Sequence, residues 1–404
     1  YLKPPKWFFL VPLLFFLNLI LLGSMFFYPI MIIGLIGGVW VSLGVHYWNK
    51  NNLFQYLGAI PQLSKLSRVS KELFKISILR QANPNLYSSI SSIDKLKKYF
   101  LFFKTEPKIP DDFTYVIELI RAVFLLEPLL LFRMLKRLDS KRKAIENLYL
   151  FVGQIDFLMS IASLRKGLEV YCHPNIKADN KSMIVKEAYH PLIVDCEKND
   201  LRIDKRSILL TGSNMSGKTS FIRTIGINVI TGLTLNTCFA SHFSMPRMKL
   251  YSALRISDDL INSKSYYFEE VLTIKDMIDT STEEVANLFL LDEIFKGTNT
   301  VERISAGKAV LSTLNKADNI VFVSTHDIEL ADLLRNEYDL FHFSEKIGGK
   351  TVDFDYKLKE GKLRKRNAIK ILEINEFPSD VVLEARKIAE EIDGQRELQA
   401  PNSL

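Results

Sequence analysis

Hydrophobic and polar positions divide the chain into three stretches with different patterns. The first, from Trp7 to Trp48, contains no Asp, Glu, Lys or Arg. Because one transmembrane helix needs about 20 consecutive apolar residues, this stretch is long enough for two. We predict spans over Trp7–Phe27 and Pro29–Trp48, and the aromatic residues at their ends suit a membrane–water interface. Residues 1–50 are therefore predicted to form a transmembrane helical hairpin.

The charges that flank this hairpin predict its orientation. Lys3 and Lys6 precede the first span and Lys50 follows the second, whereas the turn between the spans has no charge. Positive residues tend to stay in the cytoplasm, so both ends of the hairpin and the rest of the chain are expected there. A cleaved signal peptide is disfavoured by the length of the apolar stretch and by the second span. A helical hairpin buried in a soluble core remains the alternative.

The second stretch, residues 51–170, repeats apolar residues at three- and four-residue spacing, which is typical of helices. The clearest segments are SKELFKISILRQ, YVIELIRAVFLLEPLLLFRMLKRL and NLYLFVGQIDFLMSIASLRKG, and breaks are predicted at QANPN and TEPKIPDD. One run, Arg133–Lys143, carries six positive charges and one negative charge. Such a run is most often a solvated helix face, and binding to phosphates or anionic lipid is the other interpretation.

The third stretch, residues 171–404, contains a phosphate-binding motif. The segment GSNMSGKT, which ends at Thr219, matches G-x-x-x-x-G-K-[ST] and lies between the strand pattern SILLT and the helical pattern SFIRTIGINVITGL. Backbone N–H groups of such a loop surround phosphates, Lys218 reaches the terminal phosphates, and the Thr219 hydroxyl is a ligand for Mg²⁺. The predicted nucleotide-binding residues are Gly212, Ser213, Asn214, Met215, Ser216, Gly217, Lys218, Thr219 and Ser220.

Two further apolar strand patterns end in residues that such a site needs. VANLFLLDE ends in Asp292 and Glu293, and NIVFVSTHD ends beside His326. Parallel strands bring their carboxyl ends to one edge of a sheet, so these side chains are expected near the phosphate loop. We predict that Asp292 holds Mg²⁺ through its outer shell, that Glu293 orients or deprotonates the attacking water, and that His326 senses the γ-phosphate. Each pattern alone has an ordinary structural explanation, but the three in this order predict an ATPase.

Composition and net charge exclude few classes of function or partner. The net charge of +7 permits a polyanionic partner or an anionic membrane surface but selects neither. Cys172, Cys196 and Cys238 form no CxxC pair, and so sparse a set predicts a reducing compartment rather than a disulfide framework. Tyr1 rather than Met stands first, so we expect the sequence to be part of a longer chain.

The motifs together resemble those of the MutS family of DNA mismatch-repair ATPases. TGSNMSGKTSFIRTIG resembles that family's P-loop, and AYHPLI, LLDEIFKGTNTVER and STHDIELADL resemble its further motifs. The resemblance extends from about Leu148 to the end and is weaker over residues 51–146. Two departures are Ser213, where the family's loop usually has proline, and the order Thr219-Ser220, where the family usually has Ser-Thr.

The resemblance implies a homodimer that uses ATP and Mg²⁺ and binds DNA. Ser265, in DDLINSKSYYFEEV, occupies the position of a serine that crosses the family's dimer interface to the partner's γ-phosphate. VGQIDFLMSIASL resembles the family's lever helix, and FPSDVVLEARKIAEEI resembles its C-terminal dimerisation element. The implied fold is an α/β P-loop NTPase domain of the ABC type at residues 171–404, after a helical core and lever region at residues 51–170.

The expected function is that of a membrane-anchored MutS-like ATPase coupled to DNA binding. The family's Phe-x-Glu wedge is matched only by Phe268–Glu270 and Phe343–Glu345, both inside the ATPase region. We therefore expect a branch without the mismatch-recognition domain and without strong mismatch specificity. The alternative is a membrane-bound mechanical ATPase that acts on a protein partner without nucleic acid.

Overall fold

A computed structural model describes residues 6–95, 119–177, 181–213, 215–254, 266–282, 285–348, 351–363 and 368–399. The chain forms two compact units, residues 1–162 and 163–404. Of the predicted site residues, Asn214 and Ser265 lie outside the described ranges, as does the helix break predicted at TEPKIPDD.

Helices make up the described part of the N-terminal unit. A single 3₁₀ turn, Lys6–Phe9, leads into the first of them. In chain order the helices are α1 (Leu10–Ser24), α2 (Met31–Phe74), α3 (Ser77–Ala82), α4 (Leu86–Asp94), α5 (Leu126–Asp139) and α6 (Arg142–Gly167), of which α6 continues into the second unit. The gap between α3 and α4 coincides with the break predicted at QANPN.

The apolar N-terminal stretch forms α1 and the first half of α2, which pack against each other. Helix α2 does not end near residue 50 but runs unbroken to Phe74, so the apolar stretch and the polar region after it share one helix. Among the described residues, three helical segments are long and apolar enough to cross a membrane: Trp7–Ser24, Met31–Trp48 and Arg142–Gly167. The sequence pattern predicts the first two as spans and the third as a lever helix.

The hairpin of α1 and α2 exposes apolar side chains and buries polar ones. Phe16, Ile33 and Trp40 are 58%, 72% and 71% exposed, whereas Asn18 and Ser42 are fully buried. The Asn18 amide donates a hydrogen bond to Ser42 Oγ at 2.8 Å, which ties α1 to α2. Elsewhere in the unit an ordinary apolar core contains Leu86, Ile90, Ile93, Leu148 and Phe151.

The C-terminal unit is a mixed α/β domain, which confirms that part of the sequence-based prediction. Within the described residues its strands are β1 (Asn175–Lys177), β2 (Ser182–Ala188), β3 (Asn199–Asp204), β4 (Ser207–Thr211), β5 (His242–Pro246), β6 (Lys249–Ala253), β7 (Asn287–Asp292), β8 (Ile320–Thr325), β9 (Tyr338–His342), β10 (Glu345–Gly348), β11 (Thr351–Phe354) and β12 (Lys359–Glu360). Its helices are α7 (Lys218–Leu235), α8 (Tyr266–Thr280), α9 (Thr300–Leu314), α10 (Ile328–Leu334), α11 (Ala368–Ile374) and α12 (Ser379–Gln399).

Among these strands, the largest sheet has the order β12-β9-β4-β8-β7-β6. Strands β9, β4, β8, β7 and β6 are parallel, and β12 pairs antiparallel at the edge. The other strands form the sheet β1-β5-β2-β3 and the hairpin β10-β11. Because β4, β8 and β7 are neighbours and parallel, the loops that follow them leave the sheet at one edge.

Apolar cores on both faces explain why the central strands read as continuous hydrophobic runs. Successive side chains of a strand point to opposite faces, and along β4 Ile208 and Leu210 belong to one core while Leu209 belongs to the other. Helix α7 packs on the first face at close range. A β-carbon added at Gly226 of α7 would lie 2.6 Å from Cδ1 of Leu290 in β7, so glycine is required for this approach.

Candidate nucleotide-binding site

The phosphate-binding motif forms a tight loop between the buried strand β4 and helix α7. Gly217 is the residue before α7 and has φ = 105°, a left-handed conformation that glycine adopts without strain. A β-carbon at Gly217 would also lie 3.1 Å from the ring of Tyr356. The loop therefore delivers the first N–H groups of α7, which have no partner inside the helix, to the edge of the sheet.

Lys218 is buried and bound to the loop itself. Its Nζ donates hydrogen bonds to the carbonyl oxygens of Gly212 and Ser213, both at 2.8 Å. Burial lowers the pKa of Lys218, and the nearby carboxylates of Glu293 and Asp292 act in the opposite direction. The ammonium group is thus held where a phosphate would enter, with carbonyl oxygens as its present partners.

Thr219 and Asp292 bring two oxygens together below the loop. The Thr219 hydroxyl donates to Asp292 Oδ2 at 2.7 Å, and the Ser324 hydroxyl donates to Asp292 Oδ1. Ser324 reaches that carboxylate because it pairs with Asp292 in the register of β8 and β7. A hydroxyl and a carboxylate at this distance are hard oxygen ligands, and Mg²⁺ uses few protein ligands of this kind together with waters and phosphates. The pair therefore fits the magnesium site predicted from the sequence.

Glu293 stands next to this pair and is held by two nitrogen-bearing side chains. Its N–H donates to the carbonyl oxygen of Ser324 at 2.9 Å, and its carboxylate contacts both His326 Nε2 and Lys296 Nζ. Burial alone would raise the pKa of Glu293, but hydrogen bonds and charge from His326 and Lys296 outweigh it and lower the pKa to about 2. The carboxylate is ionised at neutral pH and is a weak proton acceptor while both partners remain.

Two contacts fix the loops that carry Glu293 and His326. The buried carboxylate of Glu270, in α8, accepts a hydrogen bond from the N–H of Phe295 at 2.8 Å. Arg303, in α9, forms a two-pronged ion pair with Asp327, with Nε–Oδ2 at 2.9 Å and Nη2–Oδ1 at 2.8 Å. Planar pairs of this kind set orientation as well as contributing energy, so Arg303 positions the residue that follows His326.

A cavity of 460 Å³ opens beside the loop. One wall is formed by the segment 188–199 and another by the phosphate loop, and Tyr356 lines it as well. The predicted site residues that line it are Ser213, Met215, Ser216, Gly217, Lys218, Thr219, Ser220 and Glu293. A volume of this order suits a drug-sized or nucleotide-sized ligand.

Several side chains at this site have roles that the sequence did not predict. Tyr356 lines the cavity from a segment more than 130 residues after the motif, and Lys296 and Ser324 bind the two carboxylates. The Ser213 hydroxyl, at the position where the resembled family usually has proline, donates to Glu345 Oε2 at 2.7 Å. Lys296, Ser324 and Glu345 lie within segments already quoted from the sequence, whereas Tyr356 reaches the cavity only through the fold.

Comparisons with known proteins agree with this geometry. A family model described as MutS domain V matches residues 208–393, which include every described residue of the site from the loop to Tyr356. DNA mismatch repair protein MutS of Aquifex pyrophilus is 26% identical over 257 residues, covering 61% of this chain and 29% of the relative. MutS of Listeria welshimeri is 28% identical over 262 residues, covering 60% of this chain and 29% of the relative.

A longer match reaches into the N-terminal unit. DNA mismatch repair protein MutS of Petrotoga mobilis is 25% identical over 390 residues, covering 86% of this chain and 45% of the relative. The chain thus spans less than half the length of these relatives. MutS domain V is a P-loop ATPase domain, and the matched residues include the phosphate loop and the carboxylates described above. Residues 208–393 are therefore similar to MutS domain V, and the chain is similar to MutS proteins over that range.

Proposed function

We propose that this chain is a membrane-anchored MutS-like ATPase that works as a homodimer and couples ATP hydrolysis to DNA binding. The observation that carries the proposal is the cluster at one edge of the large sheet. There Lys218 and Thr219 follow β4, and Asp292 and the ionised Glu293 stand at the end of β7. His326 follows β8, which lies between those two strands. That set contains the groups needed to bind a triphosphate and to direct water at it.

The contacts support a proposed role for each residue during turnover. Lys218 exchanges two loop carbonyls for phosphate oxygens, which carry full negative charge and bind an ammonium more strongly. Thr219 and Asp292 hold Mg²⁺, which neutralises charge on the phosphates when it is bound. Glu293 orients the attacking water and accepts its proton, and it becomes a better acceptor once His326 turns from it toward the γ-phosphate.

The cavity supports a place for the nucleobase. Tyr356 is the half-exposed aromatic ring on its wall, close to Gly217 at the start of α7. An aromatic face gives stacking energy to any purine, on the order of 1–3 kcal/mol for a nucleic-acid base. We assign the adenine to this ring and the phosphates to the loop.

Charge placement supports the nucleic-acid part of the proposal. The basic run Arg133–Lys143 bridges the end of α5 and the start of α6. Cations at the end of α5 suit the helix dipole, but Arg142 and Lys143 lie in the first turn of α6, where the dipole disfavours them. Lys143 has a carboxylate partner in Glu146 at 3.1 Å. Positive charge kept at an unfavourable helix end is better explained by an anionic ligand than by stability.

Exposed apolar residues support the membrane and dimer parts. The hairpin of α1 and α2 presents its apolar side chains outward, as a lipid-facing pair of spans does. Helix α12 exposes Val381, Leu383 and Ile388, which would pack against a second copy. We place residues 1–50 in the membrane and residues 51–404 in the cytoplasm, with residues 51–170 as the helical core and lever.

ATP turnover by the full chain in detergent tests the catalytic part. Lys218→Ala should reduce turnover by roughly 100-fold or more, because the phosphates lose a buried point charge. Lys316→Ala, which changes an exposed lysine in the same unit, should leave turnover unchanged. Absence of Mg²⁺-dependent hydrolysis by the wild-type protein would reject the ATPase proposal.

Titration with duplex DNA at several salt concentrations tests the nucleic-acid part. Binding through phosphates should be tolerant of sequence and should weaken steeply as salt rises. Changing Lys141 and Arg137 together to Gln should weaken all duplexes alike and reduce the salt slope by about 2. A hydrolysing protein that binds no duplex at low salt would favour the mechanical ATPase with a protein partner.

A further inference from the structure

Cys172 and Cys238 lie directly opposite each other on two antiparallel segments. The N–H of Cys172 donates to the carbonyl oxygen of Cys238 at 3.0 Å, and the N–H of Cys238 donates to that of Cys172 at 2.8 Å. Residues paired in this way have α-carbons about 5.5 Å apart, within the range that a disulfide spans. Both residues are free thiols, their side chains interact, and the Cys238 thiol donates to the carbonyl oxygen of Asn228 at 3.5 Å.

The two thiols differ in access and acidity. Cys172 is partly exposed, whereas Cys238 is fully buried. The contact with Cys238 lowers the pKa of Cys172 although burial opposes it, and the same contact together with burial raises the pKa of Cys238. A dissolved oxidant therefore reacts first with Cys172, which is the more accessible and more acidic thiol. Cys238 is buried beside it and can react in a second step.

The pair occupies a junction between two helices of functional interest. Cys172 follows the end of α6, and Cys238 follows the end of α7, the helix that begins at the phosphate loop. In the last turn of α6, Arg165 donates to the carbonyl oxygens of Leu235 and Asn236 at 3.2 and 2.9 Å and to Thr237 Oγ1 at 2.9 Å. At this junction the end of α6 is held to the end of α7 by hydrogen bonds, which can exchange.

We propose that Cys172 and Cys238 form an oxidant-sensitive, reversible disulfide that locks the end of α6 to the end of the phosphate-loop helix α7. A cystine here replaces exchangeable contacts by a covalent link. The β-carbons of a hydrogen-bonded pair lie nearer 5.5 Å than the 3.5–4.5 Å of a relaxed disulfide, so the bond carries some strain. Strained disulfides are the more easily reduced ones, which makes the link reversible in a reducing compartment.

The oxidation needs a two-electron oxidant, and a peroxide supplies it. The Cys172 thiolate attacks one peroxide oxygen, so that an S–O bond forms, the O–O bond breaks and hydroxide leaves. The sulfur of Cys238 then attacks the sulfenic sulfur of Cys172, forming the S–S bond and breaking the S–O bond. The proton of Cys238 leaves with the second hydroxide as water. Two thiols and one hydrogen peroxide thus give one disulfide and two waters.

Peptide mapping of the full-length protein tests the proposal directly. The protein in detergent is treated with hydrogen peroxide, blocked with N-ethylmaleimide and digested without reductant. We expect a peptide that links residue 172 to residue 238 in most molecules, and its loss after dithiothreitol. The third cysteine, Cys196, gives the matched control: Cys196→Ser should form the same link, whereas Cys172→Ser should form none.

A second measurement tests whether the disulfide restrains the segment after α6. Amide hydrogen exchange of residues 168–174 should slow by roughly tenfold after oxidation, because their opening then requires breaking a covalent link. Reduction should restore the original rate. Cys172 recovered as sulfenic or sulfinic acid without the linked peptide would overturn the proposal, as would unchanged exchange in a protein shown to be linked. These readouts do not involve ATP, so they stand or fall separately from the proposed ATPase function.

Discussion

The hairpin of α1 and α2 buries polar side chains, whereas the nucleotide site gathers its polar side chains at a cavity. In the hairpin, Asn18 and Ser42 are buried and bonded to each other, while Phe16 and Trp40 face outward. At the site, strands with apolar side chains on both faces end in polar groups that gather at a cavity open to solvent. This contrast supports the proposal that the hairpin lies in a membrane, whereas the site lines a cavity.

Magnitudes support this reading of the hairpin. Each large apolar side chain left in water forgoes about 1.5–3 kcal/mol of burial, and the outward face of the hairpin carries many of them. A buried amide costs several kcal/mol in an apolar environment unless it is hydrogen-bonded. The Asn18 amide nitrogen meets that condition through Ser42 Oγ at 2.8 Å and the carbonyl oxygen of Val123 at 3.1 Å, whereas its buried Oδ1 has no hydrogen-bond partner among the described residues. The cost of exposing the apolar side chains to water supports the proposed membrane anchor.

The largest expected effect is at the site, where chemistry depends on one carboxylate. Glu293→Gln keeps the shape of the side chain but removes the proton acceptor, so turnover should fall by about 10²–10⁴-fold. Nucleotide binding should persist because Lys218 and Thr219 are untouched. Turnover and ATP affinity are measured together, and Glu360→Gln, at an exposed position of β12, serves as the control. Normal turnover of Glu293→Gln would show that another group accepts the proton.

The next largest effect is the cost of placing a lysine in each of the two regions. Phe16→Lys places a charge in the middle of α1, which should cost about 2.5–3.5 kcal/mol in a bilayer and reduce membrane insertion by roughly 100-fold. Val301→Lys changes a side chain that is 75% exposed in α9 and should cost less than about 0.5 kcal/mol. Membrane fractionation with carbonate extraction reads out both. Equal tolerance of the two lysines would mean that the hairpin faces water.

The same contrast explains how far the sequence predicts the structure. The strand–loop–helix order around Lys218 can be predicted from a short segment, because hydrophobic periodicity and one motif determine it. The structure brings Asp292, Glu293 and His326 to that loop. The continuation of α2 past residue 50 cannot be predicted from a short segment in this way. A fall in hydrophobicity at residue 50 is not a signal to end a helix, and α2 continues past it.

Other parts of the site depend on contacts that no short segment encodes. Tyr356 reaches the cavity, and Glu345 reaches Ser213, only after the sheet has brought β4 and β9 together. The contacts of Glu293 with His326 and Lys296 likewise depend on rotamers set by packing. Periodicity predicts which face of an element is buried, but it does not predict which polar side chains from distant strands meet.

A smaller effect compares one glycine from each unit. Gly226→Ala adds a β-carbon 2.6 Å from buried Leu290, and overpacking should outweigh the better helix propensity by about 1–2 kcal/mol. Gly153→Ala, in α6, meets no atom within 4 Å and should be neutral or stabilising by up to about 1 kcal/mol. Thermal unfolding in detergent measures both shifts. A lower melting temperature for Gly153→Ala as well would mean that this face of α6 is covered.

The smallest effect is a pH dependence at the site. The folded pKa of Glu293, about 2, is below the value of about 4.3 for an unfolded glutamate, so its contacts stabilise the protein above pH 4.3 and lose that effect as the pH falls toward 2. Lys296→Ala removes one cation, and because Lys296 is more than half exposed the loss should be below about 1 kcal/mol. Melting temperatures of this variant and the wild type should differ most above pH 4.3 and converge toward pH 2. Lys275→Ala breaks an exposed pair with Asp279 and controls for the loss of a surface charge. A difference between Lys296→Ala and the wild type that stays constant from pH 7 to pH 2 would show that Lys296 does not set the ionisation of Glu293.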